Sequence, residues 1–127
     1  MKTTFSKTWI RSKQPRKQRK YVARAPLHIK GKFLSTHLSK DIKKKYGIRS
    51  LRLRTGDKVK VLRGSYRNEE QKVERVDVKN QKIYLEKIEF TKKDGSKATR
   101  PFQPSNLMIT ELNLDDKKRL QKLKGEK

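Results

Sequence analysis

The apolar residues in the first third of the chain recur with a helical period. Pro15 suits the first turn of a helix and Pro26 ends one, so a basic helix is predicted from Pro15 to about Arg24. Five apolar residues then lie seven, four, four and four positions apart, namely Leu27, Leu34, Leu38, Ile42 and Tyr46. This spacing indicates an apolar stripe on further helical turns, broken near residues 35–39.

Two short helices carry end signals. Ser39 is a good N-cap and Gly47 a good C′ residue, which predicts a helix over residues 40–46. Asp115 and Asp116 precede a basic run, which places acids at the positive end of a helix dipole and bases at its negative end. A short C-terminal helix is therefore expected.

From residue 56 the period changes to two, the period of a half-buried strand. Five short strands are expected up to residue 110, two of them with bulges, and Asp94-Gly95 predicts a type I′ hairpin. The fold class is mainly β: a small SH3-like β-barrel with a basic, partly helical N-terminal extension and a short C-terminal helix. The core is expected wholly within this barrel, from Val59, Val61, Val73, Val76, Val78, Ile83, Leu85, Ile88, Phe90, Leu107 and Ile109.

The charge of the chain is strongly positive and unevenly distributed. It has 37 Lys+Arg against 13 Asp+Glu, a net charge of +24, yet residues 1–54 contain a single acid, Asp41. We therefore divide the chain into a basic RNA-binding extension (1–54), a barrel (55–110) and a C-terminal helix and tail (111–127). A segment this basic repels itself in isolation, so a polyanionic partner is expected, with nucleic acid as the default.

Composition also excludes several classes of protein. The chain has no Cys, which rules out disulfide scaffolds, thiolate zinc sites and thiol catalysis. No apolar run approaches the ~20 residues that span a bilayer, and no secretory signal is visible, so a cytoplasmic protein without membrane insertion is expected. His28 and His37 lie nine residues apart without a thiol or an acid cluster nearby. We expect no metal site, no cofactor and no enzymatic activity.

Aromatic residues interleave with the cations of the extension; they are Phe5, Trp9, Tyr21, Phe33 and Tyr46. Rings that stack on exposed bases beside cations that meet phosphates are typical of RNA binding. The alternative is that these rings only anchor the extension to the barrel, and the sequence leaves both open.

The most specific stretch runs Gly56-Asp57-Lys58-Val59-Lys60-Val61-Leu62-Arg63-Gly64 and continues to Val73. It resembles a KOW motif, in which a strand ends at a glycine and a basic loop follows. The motif residues are Gly56, Asp57, Val59, Val61 and Gly64, with Asp57 expected to cap a turn. Asn68 and Gln71 stand where the family usually has glycine, and only Asn tolerates the left-handed conformation.

Further segments are similar to one family, the archaeal and eukaryotic branch of large-subunit ribosomal protein twenty-four. They are Ala25-Pro26-Leu27-His28, Ser39-Lys40-Asp41-Ile42, Lys45-Tyr46-Gly47-Ile48-Arg49-Ser50-Leu51, Arg54-Thr55-Gly56-Asp57 and Pro104-Ser105-Asn106-Leu107. The resemblance implies a structural protein of the large ribosomal subunit that binds 23S rRNA near its 5′ end, acts early in assembly and lies near the polypeptide exit tunnel. It implies neighbouring large-subunit proteins as partners, and nascent-chain or exit-tunnel docking factors as further candidates.

Basic residues of the extension and of the KOW loop are the predicted RNA contacts. They are Arg11, Lys13, Arg16, Lys17, Arg19, Lys20, Arg24, His28, Lys30, Lys32, Lys43, Lys44, Lys45, Arg49, Arg52, Arg54, Arg63, Arg67 and Lys72. The main alternative is a KOW-type transcription elongation factor that binds RNA polymerase and nucleic acid, although such factors usually carry a second α/β domain. An architectural DNA-binding protein is a third possibility, and it would need exposed apolar wedge residues.

Overall fold

We describe a computed structural model of the chain, which covers residues 5–6 and 12–125. In chain order the described elements are α1 (Pro15–Arg24), α2 (Leu27–Lys30), a 3₁₀ turn (Gly31–Leu34), β1 (Ser35–Leu38), α3 (Lys40–Tyr46), β2 (Ser50–Arg52), β3 (Lys58–Val61), β4 (Glu70–Asp77), β5 (Lys82–Thr91), β6 (Lys97–Phe102), a second 3₁₀ turn (Pro104–Asn106), β7 (Leu107–Glu111) and α4 (Lys117–Lys124).

The seven strands form one mixed sheet in the order β2-β1-β7-β3-β4-β5-β6. Strands β1 and β7 run parallel, and the other neighbours are antiparallel. Register shifts interrupt the β3–β7, β4–β5 and β5–β6 pairs, and bulges of this kind bend and twist a sheet. The predicted mainly β class is confirmed. The bent sheet is consistent with a small barrel-like domain, although its edge strands, β2 and β6, do not close on each other.

The predicted helices are confirmed at their signalled ends. Helix α1 starts at Pro15 and ends at Arg24. Helix α3 follows Ser39 and ends before Gly47, which adopts the left-handed conformation with φ of 66°. Helix α4 follows Asp116, whose carboxylate accepts a hydrogen bond from the Lys118 backbone N–H at 2.9 Å.

The apolar stripe through Leu34 and Leu38 is not helical throughout. Leu34 ends a 3₁₀ turn, and Leu38 lies in β1, which pairs with β2 and β7. Both side chains are buried, whereas Leu27 is 62% exposed. The spacing of apolar residues does not show whether a segment pairs with a strand about seventy residues away. Here pairing with β7 places Leu38 in a strand instead of a helix.

The prediction that the core lies wholly within the barrel, residues 55–110, is wrong. The core cluster also contains Leu34, Leu38, Leu51, Leu53 and Leu123, which lie outside this range, and Phe102, which lies inside it but was not predicted. Val76 and Val78 are only partly buried, and Phe90 is 38% exposed. Strands β1 and β2 extend the sheet beyond β7, so their leucines complete the core. The proposed boundary at residue 55 stays a prediction, and the hydrophobic core extends across it.

The hairpin between β5 and β6 is not of type I′. A type I′ turn requires positive φ at both central residues, and at this turn only Gly95 has it, with φ of 86°. The Gly95 N–H donates to the Lys92 carbonyl at 3.0 Å, and the Lys92 N–H donates to the Ser96 carbonyl at 2.8 Å. These contacts describe a three-residue loop closed by a left-handed glycine.

Candidate RNA-binding surface

The KOW loop, residues 62–69, connects β3 to β4 in a fixed conformation. The Leu62 N–H donates to the Asn106 carbonyl, and the Asn68 N–H donates to the Val61 carbonyl, both at 2.8 Å. Gly64 and Asn68 have φ of 95° and 73°, so Asn68 adopts the left-handed conformation that the sequence allows it. Gln71 lies in β4 opposite Val59, where the extended backbone needs no glycine.

The Asp57 carboxylate organises the turn before β3. It is fully buried and accepts hydrogen bonds from the backbone N–H groups of Arg54 at 2.9 Å and Asn113 at 2.8 Å. The predicted turn-capping role of Asp57 is therefore confirmed. Val59 and Val61 are likewise fully buried on β3. These motif residues build the scaffold and leave the cations of the loop to face outward.

The partner of Asp57 is Arg119, which the sequence analysis did not single out. Its Nη1 and Nη2 donate to the two Asp57 oxygens at 2.6 and 2.7 Å, and the Arg119 side chain is 4% exposed. The guanidinium also donates to the carbonyls of Asn113 and Arg52. The sequence did contain one indication that Arg119 is buried. It lies four residues before Leu123, so the two side chains share one face of the helix, and Leu123 is buried.

A second ion pair lies beside the first. Arg54, a predicted RNA contact, pairs with Asp116. The Lys118 N–H, with a smaller contribution from Arg54, lowers the pKa of the Asp116 carboxyl below its ordinary value. We call this set the C-terminal ion-pair cluster; it consists of Arg54, Asp57, Asn113, Asp116 and Arg119.

Three adjoining grooves run from α1 to the KOW loop. The first lies between α1, α2 and the β4–β5 turn, the second between β1, β2 and the second 3₁₀ turn, and the third between the KOW loop and β6. Gln81 lines both the first and the second groove, and Gln103 lines both the second and the third. The three grooves therefore adjoin one another, and we call them together the basic trench.

The charge of the basic trench has one sign. Its lining contains seven arginine, lysine or histidine side chains, which are, from α1 to β6, Arg19, Lys30, Lys79, His37, Arg49, Arg63 and Arg100. Among the described residues that line it, none is acidic. No arginine or lysine of this set forms an ion pair with a carboxylate in residues 12–125. An acid-free groove of this kind attracts a polyanion.

The trench gathers only part of the predicted contact set. Arg19, Lys30, Arg49 and Arg63 line it. Other predicted residues lie outside its lining, most of them exposed and Lys43 half-buried: Lys13, Arg16, Lys17, Lys20, Arg24, His28, Lys32, Lys43, Lys44, Lys45, Arg52, Arg67 and Lys72. Arg54 belongs to the C-terminal ion-pair cluster, and Arg11 lies outside the described residues. His37, Lys79 and Arg100 line the trench but were not among the predicted contacts; Lys79 and Arg100 lie outside the extension and the KOW loop, from which those contacts were drawn.

Three aromatic residues of the extension, Phe5, Tyr21 and Phe33, lie near one another. The Tyr21 ring centroid is 4.9 Å from that of Phe5 and 6.1 Å from that of Phe33, which lines the second groove. Tyr46 packs against the core cluster, with Lys45 Nζ 5.3 Å from its ring. The anchoring alternative therefore fits Tyr46. Trp9 lies outside the described residues.

The outer side of β3, β4 and β5 has a different charge pattern. Lys58 pairs with Glu111 at 3.1 Å and lies 3.9 Å from Glu70. Lys97 lies 3.9 Å from Glu89. Arg75 stacks over the Tyr84 ring at 4.2 Å. Lys58, Lys97 and Arg75 on this side therefore have partners within the chain.

Neither a metal centre nor a membrane span appears in the part of the chain that the structure describes. No group of three or more histidine, aspartate or glutamate side chains there is placed to hold a metal ion. No helix among the described residues has the length and apolar character needed to cross a bilayer.

Comparison with known proteins agrees with the motif and the charge pattern. A family model described as eukaryotic ribosomal proteins L26 and archaeal ribosomal proteins L24 matches residues 12–126. Large ribosomal subunit protein uL24 of Methanosphaera stadtmanae is 48% identical over 112 residues, covering 88% of this chain and 96% of the relative. The uL24 proteins of Methanocella arvoryzae and Methanospirillum hungatei are 46% and 48% identical over 114 and 115 residues, covering 90% and 91% of this chain. The chain therefore belongs to the family that unites the eukaryotic ribosomal proteins L26 with the archaeal ribosomal proteins L24.

Proposed function

We propose that this protein is a structural component of the large ribosomal subunit that binds its rRNA directly through the basic trench and the N-terminal extension. Family membership supports a structural, non-catalytic ribosomal role. The observation that carries RNA binding is the acid-free trench, which joins α1 to the KOW loop. Polyanions bind such surfaces by releasing condensed counterions.

The finer parts of the proposal follow the family resemblance. We place the contact in the 5′ region of 23S-type rRNA, early in subunit assembly, near the polypeptide exit tunnel and beside other large-subunit proteins. The alternative of a transcription elongation factor finds less support, because the ribosomal family model matches nearly the whole described chain.

The test compares two triple variants that remove equal charge. The trench variant carries Arg19→Gln, Arg49→Gln and Arg63→Gln, all at exposed positions. The control variant carries Lys92→Gln, Lys93→Gln and Lys97→Gln on the β5–β6 hairpin, also at exposed positions. Filter binding to a 5′ fragment of large-subunit rRNA at fixed salt should show a loss of about tenfold or more for the trench variant only.

Salt provides a second measurement on the same fragment. If ~6–10 phosphates are neutralised, raising salt from ~50 to ~200 mM lowers the wild-type affinity on the order of 10³-fold or more. The trench variant should show a smaller slope than the control variant. Equal losses and equal slopes for the two variants would refute RNA binding by the trench.

A further inference from the structure

The third groove of the trench combines features that bulk charge does not require. The KOW loop contributes Arg63 and Tyr66, and β6 contributes Arg100 and Pro101. The amide side chains of Gln103 and Asn106 also border it. The lining thus combines one aromatic ring and two guanidinium groups with amides that can donate and accept hydrogen bonds.

The Tyr66 ring is held in place before any ligand arrives. It packs edge-on against Phe102, with ring centroids 6.0 Å apart and an interplanar angle of 72°. Phe102 belongs to the core, and Tyr66 packs partly buried against it. A ring fixed by the core loses little conformational freedom when something stacks on it.

The loop that carries Tyr66 is also fixed. Its first residue, Leu62, is hydrogen-bonded to Asn106, which is itself a lining residue of the groove. The Glu69 N–H donates to the Tyr66 carbonyl at 3.1 Å. The backbone of the KOW loop is therefore joined to the second 3₁₀ turn, which also borders the groove.

The two arginines suit phosphate groups. A guanidinium presents a rigid fork that binds a phosphate bidentately. Arg63 and Arg100 form no ion pair with a carboxylate in the described part of the chain. Arg63 comes from the KOW loop and Arg100 from β6, so the groove offers a guanidinium group from each of the two elements that form it.

We propose that this groove binds one unpaired nucleotide of RNA, with its base stacked on Tyr66 and its flanking phosphates held by Arg63 and Arg100. A paired A-form helix keeps its bases inside and is recognised mainly by shape, so it would leave the ring unused. Gln103 and Asn106 border the base edge. This inference rests on the proposed RNA binding and adds the structural class of RNA that the KOW loop recognises.

The test uses the full-length chain and two RNA hairpins of equal length. One carries a single-nucleotide bulge with 2-aminopurine at the bulged position, and the other is fully paired with 2-aminopurine inside the helix. Tyr66→Leu keeps apolar packing on Phe102 but removes the aromatic face, and Tyr66→Phe restores it. Arg100→Gln is matched by Lys97→Gln, which removes one charge from the same strand.

Wild-type protein should bind the bulged hairpin more tightly and quench its 2-aminopurine fluorescence. Tyr66→Leu should weaken binding to the bulged hairpin about tenfold and abolish quenching, because stacking on one base contributes on this scale. The paired hairpin should lose less than about twofold, and Tyr66→Phe should retain both binding and quenching. Arg100→Gln should cost about tenfold, against less than about twofold for Lys97→Gln. Thermal melting of each variant verifies the fold.

Equal losses of Tyr66→Leu on both hairpins, or equal losses of Arg100→Gln and Lys97→Gln, would overturn the nucleotide site. If wild-type protein binds both hairpins equally but the trench variant weakens both, the nucleotide site fails while RNA binding by the trench stands. If the trench variant binds as tightly as its control, the proposed function fails as well.

Discussion

The C-terminal ion-pair cluster and the basic trench are both built on arginine, yet their arginines have opposite surroundings. In the cluster, Arg119 forms an ion pair with Asp57, and Arg54 forms one with Asp116. In the trench, the described lining contains no carboxylate, and its arginines remain without ion pairs inside residues 12–125. The difference shows that the placement of a few acids decides which cations stabilise the fold and which remain for a polyanion.

The first prediction uses deletions to separate the RNA-binding role of the first 24 residues from the contribution that residues 25–48 make to the core. Residues 1–24 contain nine basic residues, and α1 has no buried residue. Deleting them should reduce affinity for the rRNA fragment on the order of 100-fold or more at moderate salt, because several phosphate contacts disappear. The strand signal in far-UV circular dichroism should persist, since the core begins at Leu34.

Deleting residues 1–48 removes Leu34 and Leu38 and should abolish that signal. A folded product of the longer deletion would contradict this account of the core.

The second prediction breaks the cluster. Arg119→Met leaves the Asp57 carboxylate buried without its cation, which should destabilise the protein by about 3–5 kcal/mol. Arg54→Gln removes a partner from the exposed pair and should cost less than about 1 kcal/mol. Urea denaturation measures both. Similar values for the two variants would mean that burial of the Asp57–Arg119 pair has no energetic consequence.

The third prediction compares rigid and flexible cations in RNA binding. Arg63 sits on the fixed KOW loop, and we expect Arg63→Ala to cost about 1–2 kcal/mol of binding free energy. Lys17 lies on exposed α1 outside the trench lining, and Lys17→Ala should cost about 0.5 kcal/mol. Arg63→Lys should recover part of the loss, because a lysine cannot bind a phosphate bidentately. Filter binding at one salt concentration checks these values, and equal losses would remove any special role of the loop.

The fourth and smallest effect concerns acid. The pKa of Asp116 lies below its ordinary value of 3.8, chiefly because the Lys118 N–H donates to the carboxylate. A carboxyl with a lowered folded-state pKa stabilises the protein above its unfolded-state pKa, and this contribution is lost as the pH falls through the folded value. Asp116→Asn should therefore reduce the acid sensitivity of unfolding below about pH 4, with the exposed Asp115→Asn as control. Identical acid unfolding curves for wild type and Asp116→Asn would contradict this role.

The sequence predicted those elements whose signals are local. Pro15, Ser39 and Asp116 lie at the predicted helix starts, although only the Asp116 side chain accepts a capping hydrogen bond, and Asn68 adopts the left-handed conformation that its side chain tolerates. Alternating valines defined β3 because strand period is visible within four residues.

What the sequence could not predict depends on distant partners. Strand β1 exists because His37 and Leu38 pair with Met108 and Ile109 of β7. Arg119 resembles its basic neighbours in the sequence, and only the fold brings it to Asp57. Arg100 joins Arg63 because β6 packs beside the KOW loop, a neighbourhood that no spacing along the chain encodes.

The central claim is that RNA lies in the acid-free trench and not on the side of the sheet where Lys58, Lys97 and Arg75 have internal partners. Residue-level ultraviolet crosslinking of the full-length chain to the rRNA fragment tests this most directly, because aromatic residues occur on both sides. We predict crosslinks at Phe33 and Tyr66, which line the trench, and none at Tyr84, which is covered by Arg75. Crosslinks concentrated at Tyr84 and Phe90, with Phe33 and Tyr66 silent, would contradict the account.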